Sequence, residues 1–519
     1  MTQERLWQVL DPSWGDLRAL SALLCSAAAA VGLLRWLGRR QVRQKMDEAR
    51  RSRHLALERM EKAARRFKQE NPGTQSSQIL SLTMVELAEK LKEGSLSPES
   101  VLYSYMDKAL EVNREVNCVT DFIHGCEDQL RELKKQKEKG LLYGIPISIK
   151  DHINCKGHIS SGGMVKFLGQ VKEEDSVIVQ VLKHQGGIPF VKTNIPQTMI
   201  NKQGVVGALM GMQSVTGVLG PMARDVDSLA LCMKALLCQE MFQLDPTVPP
   251  IPFNDQVYSS SEPLRVGFYE GDGYFQPSPS MIRAVQLTRR LLQDAGHTLI
   301  PFAPPKIDYM VDELFTRGIF SDGAAHLVDC FKGDMVDPNL KSQYNTYRLP
   351  ALLKRILAII LKPIYPRIAR DLGALCGVGS AKNLWDQHRA VAAYRREFIT
   401  KWGQLRLDVI LCPMLGPAFN HGYAGKLFAA TSYTHLYNVL DFPAGVVPVS
   451  AVTRADEEEL KQYRGHYGDP WDRRLREAVE GAVGMPVAVQ CVALPWQEEL
   501  CLRFMREVEA LARGTKGSV

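Results

Sequence analysis

The chain has 519 residues, of which 45% are hydrophobic and 23% are charged, values ordinary for a globular protein with a sizeable core. Its formal net charge is +7, but the segment from Arg35 to Glu70 alone holds 13 Lys/Arg and 5 Asp/Glu, so the remainder is close to neutral. A basic segment attached to a neutral body argues against broad nucleic-acid binding and favours a segment that lies beside a membrane.

The cysteines show no metal-binding pattern. Eleven of them are scattered from Cys25 to Cys501, without a Cys-x-x-Cys pair and without a nearby pair of histidines. This excludes a zinc site of the usual spacing, and we expect neither a metal ion nor a cofactor. An odd, dispersed set of thiols is typical of a chain kept reduced on the cytosolic side of a membrane.

An apolar run near the N-terminus predicts a membrane anchor. Residues 19–34 are apolar except for Ser21 and Ser26, and the basic segment follows at Arg35. Extended through Leu37, the run is about 28 Å long as a helix, close to the thickness of the hydrocarbon core. Because the positive charge follows the run, a signal anchor with a cytosolic body is favoured over a cleaved signal peptide. We therefore predict an N-terminal lead over residues 1–18, a transmembrane anchor over 19–37 and a basic juxtamembrane helical segment over 38–95.

Helix and strand signals alternate beyond this segment. Ser97-Pro98-Glu99 is typical of a helix start, with an N-cap, a proline in the first turn and an acid at the positive end. The alternation favours an α/β fold with a mixed sheet and helices on both faces. The predicted strands are 145–149, 188–191, 264–268, 298–302, 408–413, 445–449 and 486–492, and the predicted helices are 46–69, 97–112, 176–184, 225–237, 280–295 and 498–512.

A lysine follows the first of these strands. In Gly144-Ile145-Pro146-Ile147-Ser148-Ile149-Lys150-Asp151, a turn leads into a short apolar run that predicts a buried strand. Desolvation lowers the pKa of a lysine, and a neutral amine accepts a proton, so Lys150 is a candidate general base. Taken alone, a lysine that simply reaches water from the end of a strand explains the pattern better.

The same stretch resembles the lysine motif of the amidase signature family. The resemblance continues almost to the end of the chain and points to the membrane-bound branch that acts on fatty acid amides. The other matching phrases are Leu142-Tyr143-Gly144, Thr193-Asn194-Ile195-Pro196-Gln197, Gly220-Pro221-Met222-Ala223-Arg224-Asp225, residues 440–448 and residues 486–499.

The resemblance implies the amidase signature fold over residues 96–513, an α/β fold with a central mixed β-sheet flanked by helices on both faces, followed by a tail over 514–519. It implies a serine amidase that hydrolyses fatty acid primary amides and N-acylethanolamines to free fatty acids, with Lys150 as the general base and Met199 in the substrate channel. It further implies lipid amide substrates, membrane association, a homodimer, no nucleic-acid partner and a single-pass location in the endoplasmic reticulum with a cytosolic body.

One departure from the family concerns the nucleophile. The family carries Gly-Gly-Ser-Ser-Gly-Gly and a second serine-bearing glycine segment, which supply the nucleophile, the bridging serine and the oxyanion-hole amides. Here Thr198-Met199 is followed directly by Ile200-Asn201, which resembles sequence beyond that block, so several tens of residues are absent near residues 199–200. We expect Lys150 to lack its partner serines, the chain to be inactive, and the fold to be less stable around the junction.

Another serine motif lies close to Lys150. Ser160-Ser161-Gly162-Gly163 is similar to the missing motif, but a simple turn explains it better, and the sequence holds no Gly-x-Ser-x-Gly elbow. Three interpretations therefore stay open. The chain is an active amidase, a non-catalytic splice form or incomplete gene model of that lineage, or a membrane-associated lipid-binding protein.

Residues 349–372 predict a membrane-binding cap. The apolar face of the predicted helix carries Leu352, Leu353, Ile356, Leu357, Ile360 and Leu361, and the opposite face carries Lys354, Arg355 and Lys362. A second short helix after Pro363 and Pro366 carries Arg367 and Arg370, with no acid before Asp371. A broad apolar face beside an all-cationic face is typical of a helix in the membrane interface, and a core helix is the alternative. The resemblance implies that this cap admits lipids from the bilayer.

Overall fold

A computed structural model describes residues 14–136, 138–199, 212–215, 217–414 and 416–516. The segments predicted above form the expected kind of element, mostly within a few residues of the predicted bounds. The strands are β1 (Val119–Phe122), β2 (Pro146–Lys150), β3 (Ile188–Thr193), β4 (Arg265–Phe268), β5 (Thr298–Pro301), β6 (Val409–Pro413), β7 (Ala444–Ala451) and β8 (Pro486–Val492).

The helices account for most of the remaining described residues. They are α1 (Trp14–Glu70), α2 (Ser76–Ser81), α3 (Met84–Glu93), α4 (Pro98–Val116), α5 (Cys126–Leu133), α6 (Val177–His184), α7 (Val226–Leu236), α8 (Gln239–Leu244), α9 (Asp255–Ser259), α10 (Pro279–Asp294), α11 (Ile307–Tyr309), a π-helix (Met310–Thr316), α12 (Arg317–Ile319), α13 (Ala325–Cys330), α14 (Lys341–Tyr347), α15 (Ala351–Leu361), α16 (Pro366–Ala374), α17 (Ala381–Gln404), α18 (Ser432–Leu440), α19 (Arg454–Leu460), α20 (Pro470–Val479) and α21 (Glu498–Lys516). Short 3-10 turns lie at Val165–Phe167, Gln197–Met199, Ala424–Lys426 and Phe428–Thr431.

The described strands form two mixed sheets. In the smaller sheet the order is β1-β3-β2, with β3 antiparallel to β1 and parallel to β2. In the larger sheet the order is β5-β4-β6-β8-β7, with β4 parallel to both β5 and β6, and β8 antiparallel to both β6 and β7. The expected mixed α/β architecture is confirmed, with its strands divided between these two sheets.

Each sheet has its own hydrophobic core. The smaller sheet packs against α1, α4, α5 and α6 through residues such as Leu102 and Ile188. The larger sheet is covered on one face by α10 and α21, and on the other by a cluster that includes α17 and α18. Helix α7 joins the two cores, because Ala230 packs with the larger sheet and Ala235 packs with the smaller one.

The segment predicted as an anchor and the predicted juxtamembrane segment as far as Glu70 form one continuous helix, α1, and α2 and α3 follow before residue 95. Among the described residues, only the stretch 21–70 of this helix includes a window apolar enough to cross a membrane, with a mean hydropathy of 1.5 and exposed side chains such as Leu24 and Leu34. The C-terminal half instead packs on the body. Met60 is buried, and the ring of Phe67 stacks on that of Tyr103 at 4.6 Å.

The predicted cap forms two helices, α15 and α16, and the structure corrects the prediction for its cations. Lys354 was expected on a solvated polar face, but it is buried, and its Nζ donates to the carbonyl oxygens of Gly323 (3.3 Å) and Leu375 (3.1 Å). Arg367 and Arg370 were expected to have no acidic partner nearby. Both form ion pairs, with carboxylates that are distant in sequence.

Arg367 of α16 is fully buried between α20 and the loop before α10. Its Nε donates to Asp469 Oδ2 at 2.9 Å, its Nη2 donates to Asp472 Oδ1 at 2.9 Å, and its Nη1 donates to the Tyr274 carbonyl oxygen at 2.6 Å. The guanidinium also lies over the ring of Phe275, with its carbon 4.0 Å from the centroid. A buried charge is tolerated only when it is paired and hydrogen-bonded, and these contacts meet that requirement.

Replacing this guanidinium is expected to destabilise the body. Arg367→Met leaves Asp469 and Asp472 buried without their cation, a loss of about 3–5 kcal/mol in the free energy of unfolding. Urea unfolding of the purified protein measures it. Arg355→Met on the exposed side of α15 is the matched control and is expected to change the stability by less than about 0.5 kcal/mol. Equal losses in both variants would contradict the anchoring role of Arg367.

Candidate functional site

Lys150 is the last residue of β2 and lies beside Thr193 of the parallel strand β3. Its side chain is half-buried, and its Nζ donates to the carbonyl oxygen of Asn194 at 3.1 Å. The strand itself is less buried than predicted, because β2 is at the edge of its sheet and Ser148 is exposed. In the part of the chain that the structure describes, this carbonyl is the hydrogen-bond acceptor that Lys150 reaches.

The desolvated lysine of this sheet is Lys192, on the central strand β3. Its Nζ is fully buried and donates to the carbonyl oxygens of Ile153 (3.2 Å) and Ile159 (2.6 Å) and to Ser160 Oγ (2.8 Å). Burial lowers the pKa of Lys192. An ammonium has three protons to donate, and here it meets three acceptors, so Lys192 fastens the loop that follows Lys150 onto the sheet.

The Ser160-Ser161-Gly162-Gly163 stretch is a turn, as the sequence favours. Ser160 Oγ donates to the Ile153 carbonyl oxygen at 3.1 Å while it accepts from Lys192. Asp151 Oδ2 accepts hydrogen bonds from Ser161 N (3.0 Å), Ser161 Oγ (2.8 Å) and Gly162 N (2.8 Å). The two serine hydroxyls and the amide of Gly162 are therefore engaged in closing this loop.

The predicted substrate-channel residue, Met199, ends a short 3-10 turn, Gln197–Met199. Gln197 anchors that turn, since its Nε2 donates to the Met335 carbonyl oxygen at 2.6 Å and its Oε1 accepts from Asp337 N at 2.8 Å. The side chain of Met199 and residues 200–211, which include the predicted junction, lie outside the described part of the structure.

The apolar residues predicted for the cap lie on the outer surface of α15. Leu352 is 69% exposed and Ile360 is 59% exposed, and Leu353 and Ile356 are also exposed, while Leu357 and Leu361 are half-buried. The neighbouring Ile359, at 73%, extends the same surface. The helix therefore presents a broad apolar face away from the body.

Three polar residues near the cap were missed by reasoning from the sequence. Asp312 of the π-helix accepts from Tyr274 OH at 2.7 Å and from Arg370 Nε at 2.6 Å, and burial raises the pKa of this carboxyl to about 6. Asp371 of α16 borders a cavity of about 260 Å³, and burial raises its pKa to about 7. Gln343 of α14 lines the same cavity. The run of cations in α15 and α16 could have indicated from the sequence that acids lie nearby, because buried cations require acidic partners.

The mixed sheets between layers of helices, the lysine at the end of a strand and the separate helical cap define an α/β protein of amidase type. The chain belongs to the amidase family. A family profile described as Amidase matches residues 100–205 and 199–502, which is most of the folded body.

Individual relatives agree with this assignment. The chain is 45% identical over 580 positions to fatty-acid amide hydrolase 1 of Sus scrofa, covering 98% of this chain and 99% of that protein. It is 70% identical over 460 positions to vitamin D3 hydroxylase-associated protein of Gallus gallus, covering 75% of this chain and 99% of that protein. A solved structure of fatty acid amide hydrolase has the same fold, with a TM-score of 0.69 over 90% of this chain and 95% of that one at 21% identity.

The alignment with the Sus scrofa protein is longer than this chain. The alignment with the Sus scrofa protein is 580 positions long and this chain has 519 residues, so roughly 60 or more positions of that protein have no counterpart here. The family match divides into two parts that meet at residues 199–205. The junction between Met199 and Ile200 stays a prediction.

The two lysines of the small sheet are expected to differ in their effect on stability. Lys192→Met leaves the Ile159 carbonyl oxygen without a side-chain donor and the Ile153 carbonyl oxygen with Ser160 Oγ alone, which costs about 2–3 kcal/mol of unfolding free energy. Lys150→Met removes one hydrogen bond, from a half-buried Nζ to the Asn194 carbonyl oxygen, and is expected to cost less than about 0.5 kcal/mol. Urea titrations of both variants compare the two, and a larger loss for Lys150→Met would overturn the assignment of Lys192 as the structural lysine.

Proposed function

We propose that this chain is a membrane-associated protein of the fatty acid amide hydrolase type that binds lipid amides but does not hydrolyse them. The observation that carries the proposal is the surroundings of Lys150. Within the described residues its Nζ contacts a backbone carbonyl, and no serine hydroxyl lies within hydrogen-bond distance of it. The sequence block that supplies the nucleophile in this family is absent.

Acyl transfer needs a nucleophile, a base and donors for the oxyanion. Lys150 provides at most the position of the base. Lys192 and Ser160 do form a close pair, but it is unsuitable, because the ammonium is saturated by three acceptors and the serine hydroxyl already donates to Ile153. A base that can activate no hydroxyl leaves the amide bond intact.

The surfaces that handle lipids are retained. The outer face of α15 carries exposed leucines and isoleucines, and Arg355 and Lys362 lie exposed at its border, which suits a helix in the interface of an anionic bilayer. The apolar start of α1 is long enough to span the hydrocarbon core. We infer an anchor over residues 19–37 and a cap over 349–372, with Met199 on the lipid path and a cytosolic body at the endoplasmic reticulum, in a homodimer.

Restoring the missing block is the direct test of this proposal. The segment of the Sus scrofa relative that has no counterpart here is inserted between Met199 and Ile200, and hydrolysis of oleamide is measured. The grafted chain is expected to hydrolyse oleamide at least about 100-fold faster than the unmodified chain, because it regains a hydroxyl for Lys150 to activate. Lys150→Ala in the graft should remove the gain, and Lys156→Ala, an exposed lysine nearby, should leave it unchanged.

The unmodified chain supplies the complementary measurement. A serine-reactive fluorophosphonate probe is expected to leave it unlabelled, and Lys150→Ala is expected to leave its baseline in the oleamide assay unchanged. Labelling at Ser160 or Ser161, together with turnover that disappears on mutation of the labelled serine, would show that the chain is an active amidase with a relocated nucleophile.

A further inference from the structure

The contact between α1 and the body continues almost to the predicted anchor. Arg53 marks the level of β1 and of the end of α4, because its Nε donates to the Val119 carbonyl oxygen and its Nη2 donates to Asn117 Oδ1, both at 2.7 Å. On the N-terminal side of Arg53, one face of α1 is still covered at helical spacing. The half-buried residues of this face are Val42, Met46 and Ala49.

A loop of the small sheet covers this part of α1. From the level of Arg53, α4 and β1 both run toward the C-terminal end of α1. There Phe67 stacks on Tyr103 of α4, and Arg66 forms an ion pair with Glu127, which follows β1. Another described element that packs against α1 is the 3-10 turn that follows Met164. Since α4 and β1 extend the other way, this turn is the described element that covers the half-buried face.

The turn belongs to a fixed loop, residues 164–172, which we call the Phe167 loop. Lys166 N donates to Asp334 Oδ2 at 2.9 Å, and Val171 is held in an isolated antiparallel bridge. The loop nevertheless leaves apolar side chains in solvent, because Phe167 is 38% exposed and Val171 is 57% exposed. Lys166 Nζ lies 5.0 Å from the centroid of the Phe167 ring. The loop therefore presents an apolar projection with a cation beside it.

The position of the loop along α1 brings it close to the bilayer surface. A helix rises about 1.5 Å per residue, so Val42 and Met46 lie about 8 and 14 Å beyond Leu37, where the predicted anchor ends. The interfacial layer adds roughly 5–7 Å to each side of the hydrocarbon core, and a tilt of α1 toward the loop closes the few remaining ångströms. Exposed cations accompany this stretch of the helix, namely Arg39, Arg40 and Arg43.

We propose that the Phe167 loop is a membrane-contact surface of the body, separate from α15, and that its occupant is the phospholipid leaflet in which α1 is anchored. The inference rests on the membrane anchor of the proposed function, with which this surface is continuous through α1. Phe167 and Val171 enter the boundary between headgroups and acyl chains, where apolar side chains are stabilised. The ammonium of Lys166 and the arginines of α1 remain at the level of the lipid phosphates.

Photocrosslinking to lipid tests this surface. p-Benzoylphenylalanine is placed at Phe167 in the full chain, which is reconstituted in nanodiscs of phosphatidylcholine and phosphatidylserine that contain a tritiated phospholipid. The matched control has the same group at Val116, which is 61% exposed at the end of α4, near Arg53 and so about 24 Å beyond Leu37. Irradiation is expected to label the Phe167 variant with lipid at least about fivefold more than the control, because only the former reaches the interface.

The same group at Leu24, in the predicted anchor, distinguishes the two ways in which the experiment can fail. Labelling at Leu24, together with labelling at Phe167 no stronger than at Val116, would overturn the loop as a membrane contact and leave the anchor of the proposed function standing. Crosslinking of Phe167 to protein instead of lipid would overturn it equally. Absence of lipid labelling at Leu24 would contradict the anchor itself, and the Phe167 loop with it.

Discussion

The guanidinium of Arg367 holds the cap on the body of the protein. Burying a single cation costs several kcal/mol unless partners replace its hydration, and here two carboxylates, a carbonyl and aromatic faces do so. Helix α16 cannot tilt away from α20 without separating these charges inside the protein. Because α15 is connected to α16 by a short turn around Pro363, its apolar face is kept pointing away from the body.

Local sequence patterns predicted the elements well, because strands and helices follow the alternation of apolar residues and the chemistry of helix ends. The helix that begins at Pro98 is an example, since Ser97 Oγ accepts from Ser100 N as an N-cap should. The cations of the cap were misjudged because these local patterns carry no information about partners that are distant in sequence. A helical projection considers only neighbours in sequence, and Asp469, which pairs with Arg367, is 102 residues away.

The burial of the two lysines could not be predicted from the sequence either. The run that precedes Lys150 is free of charges and suggests a central strand, whereas Lys192 interrupts the run of β3 and suggests an edge. The order β1-β3-β2 reverses this, because β3 has a partner on each side and β2 has one among the described strands. The pairing order of strands depends on contacts between distant segments. The loop carbonyls that stabilise the buried ammonium of Lys192 are also distant from it in sequence, so local patterns do not reveal them.

The division into two sheets gives the described parts of the chain before and after the predicted junction largely separate hydrophobic cores. Each sheet has a core built largely from its own part of the chain, and α7 joins the cores from a position after the junction. Under the proposed function, the loss of the block removes the nucleophile and leaves Lys150, α15 and α21 in place.

The distribution of charge around the cap is consistent with the proposed handling of neutral lipids. Arg355 and Lys362 are exposed beside the apolar face of α15, where an anionic bilayer surface attracts them. Asp312 and Asp371 lie inside, where burial favours their protonated forms. Negative charge is therefore disfavoured inside, where the acids lie, while the cations at the outer border of α15 keep their charge in solvent.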